Sequence, residues 1–259
     1  MNGFEKHGIE HGSNSSIKAI MDNPANYIMN YLYAAPNLMG SPVDRGSSIE
    51  AGCEAVLFDK LSLDEGIAVA LRDFDRRTAW KLSDVMLEKE RERVEPTLRR
   101  ALLELAKYGE PLKPSKDRQH KISVVCKTLH WSLPIIGYLD FVFPDAPQGK
   151  TIIDLKTTSR IPTVMPADHQ RQRAIYSTAK PGWAVKFLYV SPASAVELED
   201  GDTKEIMTQI KSVLIRWEKF LSLGDVDYLA SLIPADPTHR DFKSAHKQQL
   251  LREKFGFII

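Results

Sequence analysis

The sequence predicts an α/β protein in which a mixed central sheet is flanked by helices, and three observations carry that expectation. Apolar residues recur at helical spacing through roughly the first 110 positions, and again from about 203 onward. Between about 120 and 192 the period shortens to two, and Val, Ile and aromatic residues dominate. Inside that middle stretch, two runs joined across a PQG break read as a hairpin, and a helical run ahead of the last strand supplies a crossover. A hairpin followed by a crossover gives antiparallel and parallel pairing in one sheet. The chain of 259 residues therefore reads as one domain with a helical front part (13–110), a sheet core (120–192) and a helical tail (203–259).

The elements follow in order. SNSSIKAIMDNPANYIMNYLYAA opens on serines that can cap a helix, and Pro24 breaks or restarts it. Ile17, Ile20 and Met21 share one face, and Tyr27, Ile28, Tyr31 and Leu32 repeat at helical spacing after the break. The segment 44–59 reads as a helix starting near Gly46 with Ser47 or Ser48 as its cap, and it carries Glu50 and Glu54 four residues apart on one face. From about Thr78 to Leu105 the text is charged and helix-forming, with a break expected at Pro96. HKISVVCKTLHW, LPIIGYLDFVFPD, TIIDLKTT and WAVKFLYVSP read as four strands, and DHQRQRAIYSTAK as the helix between the last two. KEIMTQIKSVLIRWEKFLSL places Ile206, Ile210, Val213, Leu214 and Trp217 on one face, which suits packing on the sheet. The basic final stretch with its apolar end reads as a docked tail or a partner-binding one.

Composition narrows the class. A formal charge of +1 makes any nucleic-acid surface a local patch. No run of about 18 apolar residues is present, so no membrane partner is expected, and the start MNGFEKHGIEHG lacks the basic and apolar regions of a secretory signal. Two cysteines, Cys53 and Cys126, in a chain this long fit buried thiols in a reducing, cytoplasmic compartment, and they are too few for an iron–sulfur cluster. No G-x-x-x-x-G-K-[ST] phosphate loop occurs.

The residues that point to chemistry are acids in unlikely places. Asp140 interrupts the apolar GYLDFVF and Asp154 the apolar TIIDLKTT, where an unpaired carboxylate costs a great deal of desolvation. Side chains in a strand repeat every two residues, so Asp154 and Lys156 project to the same face, and a hairpin would set Asp140 beside them. Two acids held together repel, and a divalent cation relieves them. Oxygen ligands suit Mg²⁺ or Mn²⁺ better than zinc. Gln172 and Tyr176 share a helical face after the strand. Thr157, Thr158, Ser159 and Arg160 extend it into a polar turn able to bind phosphate, and Arg171 and Arg173 offer further phosphate grips. Lys18 and Arg45 are weaker DNA-contact candidates.

This order of motifs, GYLDFVF, then TIIDLKTTSRIP, then QRAIY, resembles the PD-(D/E)xK nuclease superfamily, in particular its RecB-like, Cas4-like and phage recombination exonuclease branch. The Ser-rich start and RGSSIE upstream extend the likeness over roughly residues 13–192. The resemblance implies a restriction-endonuclease-like core and a Mg²⁺- or Mn²⁺-dependent deoxyribonuclease. It places Asp140, Asp154 and Lys156 on the catalytic positions and Gln172 and Tyr176 on the helix motif. The metal would be held by Asp140, Asp154 and the backbone carbonyl of Leu155. Where many relatives carry His before the catalytic strands, this chain has Glu50, a ligand candidate with Glu54 as its alternative. The implied context is DNA end processing in recombination, repair or phage replication, with a homo-oligomer and a single-strand annealing or recombinase protein as partners. Exonuclease is the leading expectation. A structure-specific or nonspecific endonuclease, and a DNA-binding or assembly protein with a decayed centre, are the competing ones.

Overall fold

The computed structural model describes residues 1–81, 85–114 and 119–256. In chain order its elements are α1 (Gly3–Lys6), β1 (Gly12–Ser13), α2 (Asn14–Asp22), α3 (Pro24–Tyr27) running into a π turn (Ile28–Leu32), α4 (Ser41–Leu57), α5 (Leu63–Thr78), α6 (Leu87–Glu92) and α7 (Val94–Leu105). Then come β2 (His120–Lys127), β3 (Ser132–Leu139), β4 (Phe141–Phe143), β5 (Thr151–Thr157), α8 (Ala167–Ala179), β6 (Ala184–Val190), β7 (Ala195–Leu198), α9 (Thr203–Ser222), α10 (Val226–Leu232) and α11 (Ala245–Lys254). The fold is mixed α/β, with sheets flanked by helices. Parts of the expected charged helix (82–84), of the proline-containing loop before β2 (115–118) and of the tail (257–259) lie outside the described residues.

Two compact units divide the chain. The first takes Met1–Leu38, Ser123–Gly137 and Asp202–Ile259, and the second takes Met39–Ile122 and Tyr138–Gly201. The second unit holds a sheet in the order β4-β5-β6-β7. The expected hairpin is β4 antiparallel to β5, with Phe141 opposite Ile153, and the expected crossover through α8 makes β6 parallel to β5, with Asp154 opposite Phe187. β7 adds an antiparallel edge strand that the sequence reading lacked. One face of this sheet presents Phe141, Phe143, Ile153, Leu188 and Val190 to Ile49 and Cys53 of α4, Phe74 of α5 and Leu98 of α7, all buried in one apolar cluster. Each such side chain contributes about 1.5–3 kcal/mol on burial. With Ile153 facing that core, alternation turns Asp154 and Lys156 to the other face, where α8 packs on β6.

Several boundaries differ from expectation, each for a local reason. The second apolar run is not one strand: it breaks at Asp140 into β3 and β4, which belong to different sheets. Helix α4 starts at Ser41, not near Gly46, because Gly40 takes the extended cap conformation and Pro42 sits in the first turn, where its missing N–H costs nothing. Pro96 likewise lies in the first turn of α7, and the break before it falls at Arg93. α5 was not anticipated, although Ser62 and Glu65 form a reciprocal cap at its start.

In the first unit, Ser13 caps α2 with Ser16 completing the reciprocal pair, and Pro24 starts α3. Ile17 and Ile20 are buried as expected, whereas Met21 and Tyr31 are exposed. The sheet there runs β1-β3-β2, β1 parallel to β3. Helix α9 buries Ile210, Leu214 and Trp217, and it packs on α1 and α2. The tail helix α11 is docked, with Leu250 and Leu251 in a cluster with Ala25, Met29 and Phe242.

Candidate active site

The second unit gathers the predicted catalytic residues from four elements. Because Phe141 pairs with Ile153 in an antiparallel register, the preceding Asp140 falls opposite Asp154. Asp140 Oδ2 accepts a hydrogen bond from the Leu155 backbone N–H at 2.9 Å, which fixes this carboxylate at the point where the chain leaves β3. Asp154, 1% exposed, forms an ion pair through Oδ1 with the Lys156 ammonium two residues on. The Lys156 ammonium is the contact that stabilises that oxygen. Its other oxygen accepts from Gln172 Nε2 at 2.9 Å.

Helix α8 supplies the next contacts. Gln172 Nε2 also donates to Tyr176 Oη at 2.6 Å, and the Tyr176 hydroxyl in turn donates to the Tyr138 carbonyl at 2.6 Å. The two residues therefore act as one hydrogen-bonded strut between α8, the Asp154 carboxylate and the end of β3. Tyr176 is 3% exposed, and burial, with Asp154 and Asp140 nearby, raises its hydroxyl so that it stays protonated.

Helix α4 brings Glu50 to the same place. Its carboxylate accepts from Gln119 Nε2, and the same nitrogen donates to Asp140 Oδ1 at 3.1 Å. The Gln119 amide thus joins two carboxylates that repel each other. Burial raises the Asp140 carboxyl well above the usual range, and the charges of Asp154 and Glu50 raise it further. Burial also raises Glu50, partly countered by the Gln119 hydrogen bond. For Lys156, burial favours the neutral amine, but Asp154, Asp140 and Glu50 outweigh it and hold the ammonium above its ordinary value. Among the described residues, these three carboxylates face the Lys156 ammonium and, at Glu50, the Arg77 guanidinium.

Open space borders this cluster on two sides. One groove of about 400 Å³ is lined by Ser47, Glu50, Glu54, Arg77, Gln119 and Tyr138. Another, of about 480 Å³, is lined by Arg45, Gly46, Ser47, Lys156, Thr157, Thr158 and Ser159, among others. Ser47 belongs to both. A roomier cavity of about 710 Å³ lies in the first unit, along Leu129, His130, Trp131, Lys211 and Lys219, and contains none of the predicted catalytic residues.

The predicted DNA-contact residues divide. Thr157, Thr158 and Ser159 line the second groove, although the Thr158 hydroxyl is engaged with the backbone of Arg160. Arg160 is exposed. Arg45 also lines that groove but is buried and ion-paired with Glu90. Arg171 is buried, its Nε without an acceptor. Arg173 donates to the Val185 and Gly201 carbonyls. Lys18 is in the first unit, ion-paired with Asp22. Glu54 lies along the first groove beside Glu50. Gln119 is a site residue that sequence reasoning missed: its partner Glu50 is 69 positions away, and no spacing rule links them.

Hard oxygen donors on Asp140, Asp154 and Glu50, with fewer cations than carboxylates beside them, are the chemistry that Mg²⁺ or Mn²⁺ accepts. As the side chains stand, no group of three or more His, Cys, Asp or Glu among the described residues is arranged to hold a metal ion. The carboxylates are engaged instead with Gln119, Leu155, Gln172 and Lys156.

No family model matches the chain, and no curated protein matches it. Among solved structures, that of SSO0001 aligns at 12% identity over 66% of this chain and 74% of the other, with a TM-score of 0.34. A likeness of that size carries no argument about fold or activity.

Proposed function

We propose that this protein is a Mg²⁺- or Mn²⁺-dependent deoxyribonuclease built on a restriction-endonuclease-like core, acting on DNA ends. The observation that carries the reading is the meeting of Asp140, Asp154, Lys156 and Glu50 from three elements, held by the Gln172–Tyr176 strut. A buried excess of carboxylates is costly to keep and offers nothing to packing. It suits a site whose ligand brings positive charge. Asp140, Asp154 and Glu50, with the Leu155 carbonyl, are the groups that would hold the cation. When bound, a divalent cation supplies Lewis acidity at the scissile phosphate and lowers the pKa of water.

The chain's own residues do the rest. Lys156, as an ammonium beside Asp154, stabilises negative charge developing on the phosphate. Gln172 and Tyr176 fix the Asp154 carboxylate through one oxygen and leave the other toward Lys156. Ser47, Thr157 and Ser159 line the adjoining groove with hydroxyls of the kind that contact phosphate oxygens. Ends are the expected substrate because the order of motifs resembles the exonuclease branch.

End-labelled linear DNA and closed circular DNA, each with Mn²⁺ or Mg²⁺, test the proposal against Asp154→Ala and Lys156→Ala. The expected outcome is loss of the linear form alone, with each substitution lowering the rate by about 10²-fold or more. Cutting of the circle would assign an endonuclease, and firm DNA binding without cleavage by the unaltered protein would overturn the enzymatic reading.

A further inference from the structure

Gln119 sits immediately before β2, half-buried, and its side-chain nitrogen reaches Glu50 Oε1 and Asp140 Oδ1 together. A primary amide has two hydrogens, and both are used on these two carboxylates. Asp140's second oxygen is held by the Leu155 N–H, so with Gln119 in place each Asp140 oxygen already accepts one hydrogen bond and the carboxylate is not free to turn toward a cation. Nearby, Asp154 Oδ1 is buried and is partnered by the Lys156 ammonium. A neutral amide satisfies lone pairs but cannot cancel charge. It therefore holds the two acids together without neutralising them, which a dication would do.

Resting on the nuclease reading above, we infer that Gln119 is a positioning residue that ties Glu50 to Asp140, and that this tie must be released when Mg²⁺ or Mn²⁺ binds. In the cation-free protein it keeps the two carboxylates close and solvated by its amide, so the site neither splays nor collapses. The apparent cation affinity is then reduced by the fraction of molecules in which Gln119 is engaged. Hydrogen bonds to charged acceptors are among the stronger ones, and losing the pair shifts that fraction by about ten-fold.

The test is direct Mn²⁺ binding to the full chain, by calorimetry, for the unaltered protein, Gln119→Ala and Gln119→Met, with Asp154→Ala as the reference for a lost site. Met keeps the length of Gln and its packing while removing the amide, so it guards against a folding defect in the Ala variant. The expected result is Mn²⁺ binding about ten-fold tighter in both Gln119 variants, together with a lower melting temperature without cation that Mn²⁺ restores. A purely structural tether would lower the melting temperature and leave the Mn²⁺ affinity unchanged. Unchanged or weaker binding, with Asp154→Ala still abolishing it, overturns the role given to Gln119 and leaves the nuclease reading standing. Absence of Mn²⁺ binding from the unaltered protein and from both Gln119 variants overturns the two together.

Discussion

Among single residues, Lys247 shows how far this chain goes to keep a buried charge. Its side chain is fully buried, and its ammonium donates to the side-chain oxygens of Asn26 at 2.5 Å, Asn30 at 2.6 Å and Asn37. Burial brings it down to about 8, Asp241 opposing the shift. A lysine whose folded value lies below its ordinary 10.5 binds fewer protons folded than unfolded between those two values, so stability rises with pH across that window and is flat below it. Urea unfolding at pH 7 to 10 checks this against Lys247→Met: the unaltered protein should gain stability above pH 8 with a slope approaching about 1.4 kcal/mol per pH unit, and the variant should lack that gain. Equal slopes would refute it. Nothing in the sequence marked Lys247, because an isolated lysine in a basic tail reads as solvated. Asp140, Asp154 and Lys156 were legible for the opposite reason, since charged residues inside apolar strands have few explanations. Gln119 and Tyr138 join them through contacts that only the folded chain creates.

At the level of elements, α4 brings Glu50 to the site, and its packing depends on small residues. A Cβ on Gly52 would come 2.9 Å from the Ala70 Cβ and 3.0 Å from the Gly66 carbonyl, and one on Gly66 would come 2.3 Å from Val56 Cγ2. Glycine therefore lets α4 and α5 touch backbone to backbone. Alanine gains about 1 kcal/mol in helix propensity, but forcing a methyl into this contact costs about 1–3 kcal/mol. Calorimetric melting should show Gly52→Ala destabilised and Gly66→Ala more so; a raised melting temperature for Gly52→Ala would mean the helices have room to separate. The strands and α8 were readable from period and turn residues. The start of α4 was not, because Gly46, Ser47 and Ser48 look like a helix start while they lie inside one. The break of the second strand at Asp140 was hidden by an unbroken apolar run on both sides.

For the molecule as a whole, near-neutral charge leaves any grip on DNA to local groups, and no helix among the described residues is long and apolar enough to cross a membrane. The partition into two units went unread, because the chain passes from one to the other within β2 and β3 and offers no linker to mark the change. That interleaving sets a timetable for synthesis. The second unit has received all its residues once position 201 has been made, whereas the first waits for α9, which packs on helices α1 and α2 from the opposite end of the chain. On the ribosome, the segment expected to carry the chemistry can close while the earliest-made helices, with Phe4, Ile17 and Ile20, still lack their cover. Helices made early are thus sheltered only by helices made late: α1 and α2 wait for α9, and Ala25 and Met29 wait for α11.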